Sequence, residues 1–146
     1  MSTLSPSDCY CTNLRRSAGK ITELYDKAFS DLQITASQYY LLVNLFRAEK
    51  SNISNWAVLV GLDRSTMVRN IKVLQTKGWI EPTEGHGKQF RLSDSGVDIV
   101  KSAMPIWNEA QNMIELALGK EDAEAIFRIA AKLSGLQLGG NPCKIY

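Results

Sequence analysis

Histidine is nearly missing from this chain of 146 residues, cysteine is scarce, and no apolar run approaches the length of a membrane span. Each absence excludes something. With one histidine, His86, and three cysteines, Cys9, Cys11 and Cys143, the paired spacings of a zinc site are missing, so no metal is expected. There is no Gly-rich phosphate loop and no Cys–His pairing, which argues against an enzyme. The first residues show no basic segment leading into an apolar one. No secretory signal is therefore read, and a cytoplasmic location with reduced thiols is expected.

What is present suits one ordinary domain, long enough to bury a core without disulfides. The net charge of +2 is too small to mark a nucleic-acid binder, so the placement of charge has to decide. It is placed unevenly. Between Asp63 and Lys77 four basic residues, Arg64, Arg69, Lys72 and Lys77, face a single acid, a local footprint of the kind a nucleic-acid-reading helix carries. A merely solvated helix face is the alternative.

The same stretch has the punctuation of a helix-turn-helix. Ser54 can cap a short helix with Trp56, Ala57 and Val60 on its core side, Gly61 ends it, and Asp63 caps the next. In that second helix Met67, Ile71 and Leu74 recur at four and three residues as one apolar stripe. Ser65, Arg69, Lys72 and Thr76 lie opposite, a basic and hydroxyl-bearing face without acid, as entry into a DNA major groove requires. Val58 and Leu59 have no place on the core side and point to an interface.

Upstream, Ser5-Pro6-Ser7-Asp8 reads as the start of a first helix. Its stripe runs through Cys11, Leu14, Ala18, Ile21, Leu24 or Tyr25, and Ala28, with Cys9 on another face. Thr35-Ala36-Ser37-Gln38 is a capping box, flanked by Ile34 and Tyr39 as a staple, and opens a second helix to about Ala48 with Tyr39, Leu42, Val43 and Phe46 inward. Beyond Gly78 the period becomes alternating. Trp79 to Thr83 and Lys88 to Leu92 are strand candidates around Glu84-Gly85-His86-Gly87, with Phe90 and Leu92 facing in. A hairpin directly after a helix-turn-helix makes a winged helix.

Ser93 then caps a helix of about 39 Å reaching Leu118, bent at Pro105. Val97, Val100, Met104, Trp107, Gln111, Ile114 and Leu118 form a heptad-like stripe along it. After Gly119 a last helix carries Glu121, Asp122 and Glu124 in its first turn and Ile126, Ile129, Ala130, Leu133 and Leu136 on one face. Long apolar helices outside a compact winged helix are best explained by dimerisation, with packing inside one chain as the alternative. The expected fold is mainly α with a small β-hairpin wing (α+β). It is one domain over 1–146, with a winged helix at about 35–92, dimerisation helices at about 6–32 and 93–136, and a mobile tail at 137–146.

The order of elements, together with LRRSAGKITELYDKAFSDLQITASQYYLL, GLDRSTMVRNIKVLQTKGWIE, RLSDSGVDIV and AMPIWNEAQ, resembles the multiple-antibiotic-resistance regulator (MarR) family of bacterial transcription factors over most of the chain. The resemblance implies a two-fold dimer that binds a pseudo-palindromic double-stranded operator, usually as a repressor released by a ligand or by cysteine oxidation. Carried onto this sequence, it implies base contacts from Ser65, Thr66, Arg69 and Asn70, with Arg64 and Lys72 nearer phosphates. The wing departs from the family's Asp-x-Arg element, and His86 or Lys88 stands in for its arginine. In the peroxide-sensing branch a reactive cysteine meets two tyrosines of the other subunit. Cys11 falls on that cysteine and Tyr25 on one tyrosine, while Ala36 occupies the other.

The helix start and Arg15 would favour the thiolate at Cys11, and Cys143 could then resolve it as a disulfide. Cys11 as a small packed hydrophobe is the alternative. The expected partners are DNA, a second copy of the chain and, as effector, a small phenolic ligand or a peroxide, with no membrane and no cofactor. A winged-helix protein-interaction module without specific DNA binding is the competing function.

Overall fold

A computed structural model describes residues 9–85 and 87–136. The start at Ser5–Asp8, His86, Cys143 and the tail at 137–146 lie outside the described residues. The elements are α1 (Tyr10–Ala28), a 3-10 turn (Ser30–Leu32), α2 (Ala36–Ala48), β1 (Ser51–Asn52), α3 (Ile53–Val60), α4 (Arg64–Thr76), β2 (Ile80–Pro82), β3 (Gln89–Leu92), α5 (Asp94–Leu118) and α6 (Lys120–Ser134). The chain divides into two compact units, Met1–Ala110 and Gln111–Tyr146.

In the first unit α2 is the central helix. Its N-terminus is capped as its sequence requires: the Thr35 hydroxyl accepts from the Gln38 N–H and the Gln38 side chain accepts from the Thr35 N–H, each at 3.1 Å. Asp26 of α1 adds a third acceptor, taking the Ala36 N–H at 2.6 Å, so α1 is fixed to α2 through an otherwise orphaned donor. Ile34 and Tyr39, the expected staple, are both buried. The inward face is broader than one stripe, because α1, α3 and β3 all pack on α2. Leu41, Leu42, Val43 and Leu45 join Tyr39 in the core, while Phe46, expected inside, is 38% exposed.

Two other expectations need correcting. Cys9 is extended (φ −82°, ψ 117°) and is the N-cap of α1, so the helix starts at Tyr10 and Cys9 does not share it with Cys11. At α3 the cap is Asn52, which accepts the Asn55 N–H at 2.8 Å, rather than Ser54. Asn52 also ends β1, an element no alternation could reveal in two residues. β1 pairs antiparallel with β3 (Ser51↔Phe90, Asn52↔Gln89), and β3 with β2 (Ile80↔Leu92, Pro82↔Phe90), in the order β1-β3-β2. The expected hairpin is thus part of a three-stranded sheet, with Phe90 buried, Leu92 partly so and Arg91 outside.

The entry to α5 is tightly built. Ser93 Oγ donates to the Gly78 carbonyl at 2.5 Å and accepts the Gly96 N–H at 3.1 Å, which makes Ser93 the expected cap. Gly96 lies against the backbone of Trp79: a Cβ there would come within 1.9 Å of the Trp79 carbonyl oxygen. Further along, burial follows Gly96, Val100, Ala103 and Ala110, small residues that allow close approach. Trp107 lies 6.5 Å from Tyr39, ring to ring, whereas Met104 is 38% exposed.

The second unit holds the end of α5 and α6. Gly119 (φ 81°) starts α6, with Glu121 and Asp122 in its first turn as expected. No residue of α6 is buried.

Candidate nucleic-acid interface

The helix-turn-helix is built by α3 and α4. Gly61 ends α3 in the left-handed region (φ 71°), where glycine escapes the Cβ penalty. Asp63 then caps α4. Met67, Ile71 and Leu74 are buried to 0%, 4% and 0% exposure, each contributing about 1.5–3 kcal/mol to holding the helix on the core. Their burial fixes which face is left for solvent. Ser65, Arg69, Lys72 and Thr76 are exposed on it, as expected, and Thr66 and Asn70 are half-buried at its edge.

The start of α4 is a closed hydrogen-bond knot around Asp63. Oδ1 accepts the Thr66 N–H at 2.9 Å and the Ser65 hydroxyl at 2.6 Å, and Oδ2 accepts the Thr66 hydroxyl at 2.5 Å. The Ser65 hydroxyl, with the Thr66 hydroxyl and N–H, holds the Asp63 carboxyl far below the usual carboxylate range. Arg69 Nη2 reaches Thr66 Oγ1 at 3.4 Å, and Asn70 Nδ2 donates to the Thr66 carbonyl at 3.0 Å.

Two basic residues that the sequence separates converge beside this knot. Arg64 Nη1 donates to Ser54 Oγ at 2.7 Å, and both line a cleft of about 290 Å³ with Asn52, Ile53, Asn55 and Lys88. Lys88 comes from the wing, Arg64 from α4, and the polar groups from the start of α3. Asn52, Ser54 and Asn55 were missed as site residues. Their Ser/Asn composition reads equally well as helix capping, and their proximity to Lys88 depends on the pairing of β1 with β3.

Not every cation of the α4 segment belongs to the exposed face. Lys77 Nζ donates to the Gln33 carbonyl at 2.9 Å and lies 4.4 Å from the Trp79 ring centroid, so it ties the helix end to the turn before α2 and to the half-buried Trp79. In the wing Arg91 is paired with Glu81 at 2.8 Å.

Both described thiols lie at the start of α1 and are exposed. Cys11 is exposed, with Arg15 Nη2 at 3.9 Å from its sulfur. The Cys9 thiol is pushed below its ordinary value, first by the Thr12 backbone N–H and then by the Thr12 hydroxyl. Tyr25 is half-buried, stacked on Phe29 of its own chain with centroids 6.3 Å apart, and burial pushes its hydroxyl up. Among the described residues no group of side chains could hold a metal ion, and no helix is long and apolar enough to cross a membrane.

No protein family and no curated protein matches the chain by sequence. Solved structures do match it by fold. The M. tuberculosis transcriptional regulator MosR in complex with DNA has 25% identity and a TM-score of 0.74, covering 88% of this chain and 100% of that one. The transcriptional repressor CouR bound to p-coumaroyl-CoA has 18% identity and a TM-score of 0.84, covering 94% and 99%. The oxidised form of MarR from E. coli has 18% identity and a TM-score of 0.72, covering 88% and 96%. In order of elements, wing and helix-turn-helix, the chain is a winged helix of the MarR-family fold.

Proposed function

We propose that the chain is a sequence-specific DNA-binding transcription regulator that acts as a homodimer on a pseudo-palindromic operator, as a repressor. One observation carries this reading: α4 buries its whole apolar stripe and leaves an acid-free face of Ser65, Arg69, Lys72 and Thr76 in solvent. Arg69, which has only donors, suits guanine O6 and N7 in the major groove. Lys72 on the same helix, and Arg64 with Lys88 across the cleft, suit flanking phosphates. His86, which the sequence places between β2 and β3, is the remaining candidate for a groove contact. CouR has been solved both on a 23-mer DNA duplex and with p-coumaroyl-CoA, which supports release by a small phenolic ligand here. Release by a peroxide at Cys11 is the second route, favoured by Arg15 beside an exposed sulfur. Tyr25 of the partner chain would then be a hydrogen-bond donor and Cys143 the resolving thiol.

The deciding experiment is retardation of a randomised duplex pool at low salt, followed by titration of the selected operator. Arg69→Ala should cost about 1–3 kcal/mol on the operator and less on random DNA, while Lys72→Ala should weaken both and lower the salt slope by about 1. Equal loss on both DNAs from Arg69→Ala removes its base-reading role. No retardation of any duplex would favour a protein-interaction module, with Val58 (82% exposed) and Leu59 (51%) in its interface.

A further inference from the structure

We infer that α4 reads opposite hydrogen-bond polarities along one face, a base donor at Ser65 and base acceptors one turn later at Arg69, so that each half-site combines a cytosine or adenine with a neighbouring guanine. The inference rests on the DNA-binding reading above and specifies what that face recognises.

A serine hydroxyl normally serves as donor or acceptor, because its single hydrogen rotates to suit the partner. Here the rotor is fixed. Ser65 Oγ donates to Asp63 Oδ1 at 2.6 Å and Thr66 Oγ1 to Asp63 Oδ2 at 2.5 Å. An ionised carboxylate only accepts, so both hydroxyl hydrogens point back at Asp63. With these hydroxyls and the Thr66 N–H all stabilising its charge, Asp63 stays ionised at neutral pH. What the exposed Ser65 Oγ offers outward is therefore lone pairs alone.

Bases in the major groove differ in this respect. Cytosine N4 and adenine N6 donate, whereas guanine O6 and N7 and thymine O4 accept. Ser65 thus favours cytosine or adenine and disfavours guanine and thymine, which would meet it acceptor to acceptor. The Thr66 hydroxyl is committed on both sides, since its oxygen also takes Arg69 Nη2 at 3.4 Å. Arg69 sits four residues after Ser65, on the same exposed side, and presents donors only. Asn70 gives one amide hydrogen to the Thr66 carbonyl and keeps its oxygen and the other hydrogen, so it does not discriminate by polarity. Asp63, which never has to touch DNA, acts as a positioning residue for specificity.

The test is selection from a randomised duplex pool with the full chain, comparing wild type, Ser65→Ala and Asp63→Ser. Serine is as good an N-cap as aspartate, but its shorter side chain cannot hold both hydroxyls, so the variant frees their hydrogens while keeping the helix. Wild type should enrich cytosine or adenine at one position per half-site. Ser65→Ala should lose that preference, about tenfold, at that position alone, and Asp63→Ser should admit guanine or thymine there. Guanine or thymine at the Ser65-dependent position in wild type, no position that depends on Ser65, or an unchanged preference in Asp63→Ser would each overturn the polarity. A wild-type chain that enriches no sequence would overturn the DNA-binding reading itself.

Discussion

α4 and α6 carry apolar stripes of the same helical period, and the structure treats them in opposite ways. Met67, Ile71 and Leu74 of α4 are at most 4% exposed. Ile126, Ile129 and Leu133 of α6 are 43–46% exposed and Phe127 is 68% exposed. The difference teaches that a stripe in a sequence marks a face to be covered without saying what covers it. For α4 the cover is in the chain, and burying one side leaves the polar side as a defined surface. Among the described residues of its own unit nothing covers α6, and contiguous apolar surface of this kind marks an interaction site. That contrast supports the dimer proposed above, and it can be attacked from either side.

The largest effect is expected in the core beneath the helix-turn-helix. Trp56→Ala should destabilise the chain by about 3–5 kcal/mol, a large part of a typical domain's total, measured by urea denaturation. Trp56→Phe should cost much less. Among the described residues the buried indole N–H has no hydrogen-bond partner, so replacing it by phenylalanine removes a polar group and breaks no described bond. Phe127→Ala on α6 should lie within about 0.5 kcal/mol at concentrations where the chain is monomeric. A loss from Phe127→Ala as large as that from Trp56→Ala would show that α6 is covered within the chain and erase the contrast.

Next in size is the paired change Ile129→Asp with Leu133→Asp. Two charges on the exposed stripe should shift sedimentation from two chains to one and leave the far-ultraviolet spectrum unchanged. Operator affinity should fall by about 10²-fold, because two half-sites would no longer be bound by one linked body. Wild type sedimenting as a monomer at micromolar concentration would break the comparison, since α6 would then be exposed to no purpose that a second copy supplies.

A smaller effect separates two kinds of cation on the α4 segment. Lys77→Met should remove the contact with Trp79 and the bond to the Gln33 carbonyl, costing about 0.5–1 kcal/mol of stability with little change in operator affinity. Lys72→Ala should do the reverse. Electrophoretic titration of both variants against their melting temperatures checks the distinction, and a Lys77→Met variant that loses DNA but not stability would place Lys77 with Lys72 among the DNA-contacting cations.

The period and the caps were the legible part of the sequence. Asp63, the Thr35–Gln38 box, Gly61, Gly78 and the stripe Met67-Ile71-Leu74 act through neighbours within a few residues, so their roles can be read locally. What was not legible depends on partners far along the chain. β1 exists because Ser51 and Asn52 pair with residues nearly forty positions away, and that pairing moved the α3 cap from Ser54 to Asn52. Phe46 looked like core, but α2 is covered from directions that favour Leu41 and Leu45 instead. The cleft shared by Arg64, Ser54 and Lys88 follows from the sheet and could not precede it. The direction of the Ser65 and Thr66 hydroxyls could have been anticipated, because an Asp at the cap followed by two hydroxyl residues within reach is a local pattern.

The smallest expected effect concerns acid, and it isolates Asp63 from the rest of α4. Its carboxyl is held below the ordinary range by the Ser65 hydroxyl, then by the Thr66 hydroxyl and N–H. In the unfolded chain it titrates near an ordinary aspartate value of about 3.9. A group depressed on folding stabilises the native state above the unfolded value and loses that contribution as pH falls toward the folded one. The stability difference between wild type and Asp63→Ala should therefore be constant from neutral pH down to about 5, begin to shrink near 4, and go on shrinking toward the value left by the neutral cap down to the lowest pH at which the chain stays folded. The Trp56→Phe variant should show no such convergence with wild type, because its side chain does not titrate. Parallel urea melts of the three proteins across that range are the measurement. A difference for Asp63→Ala that stays flat through pH 3 would mean the carboxyl is not held by the two hydroxyls, and the fixed polarity of Ser65 would lose its support with it.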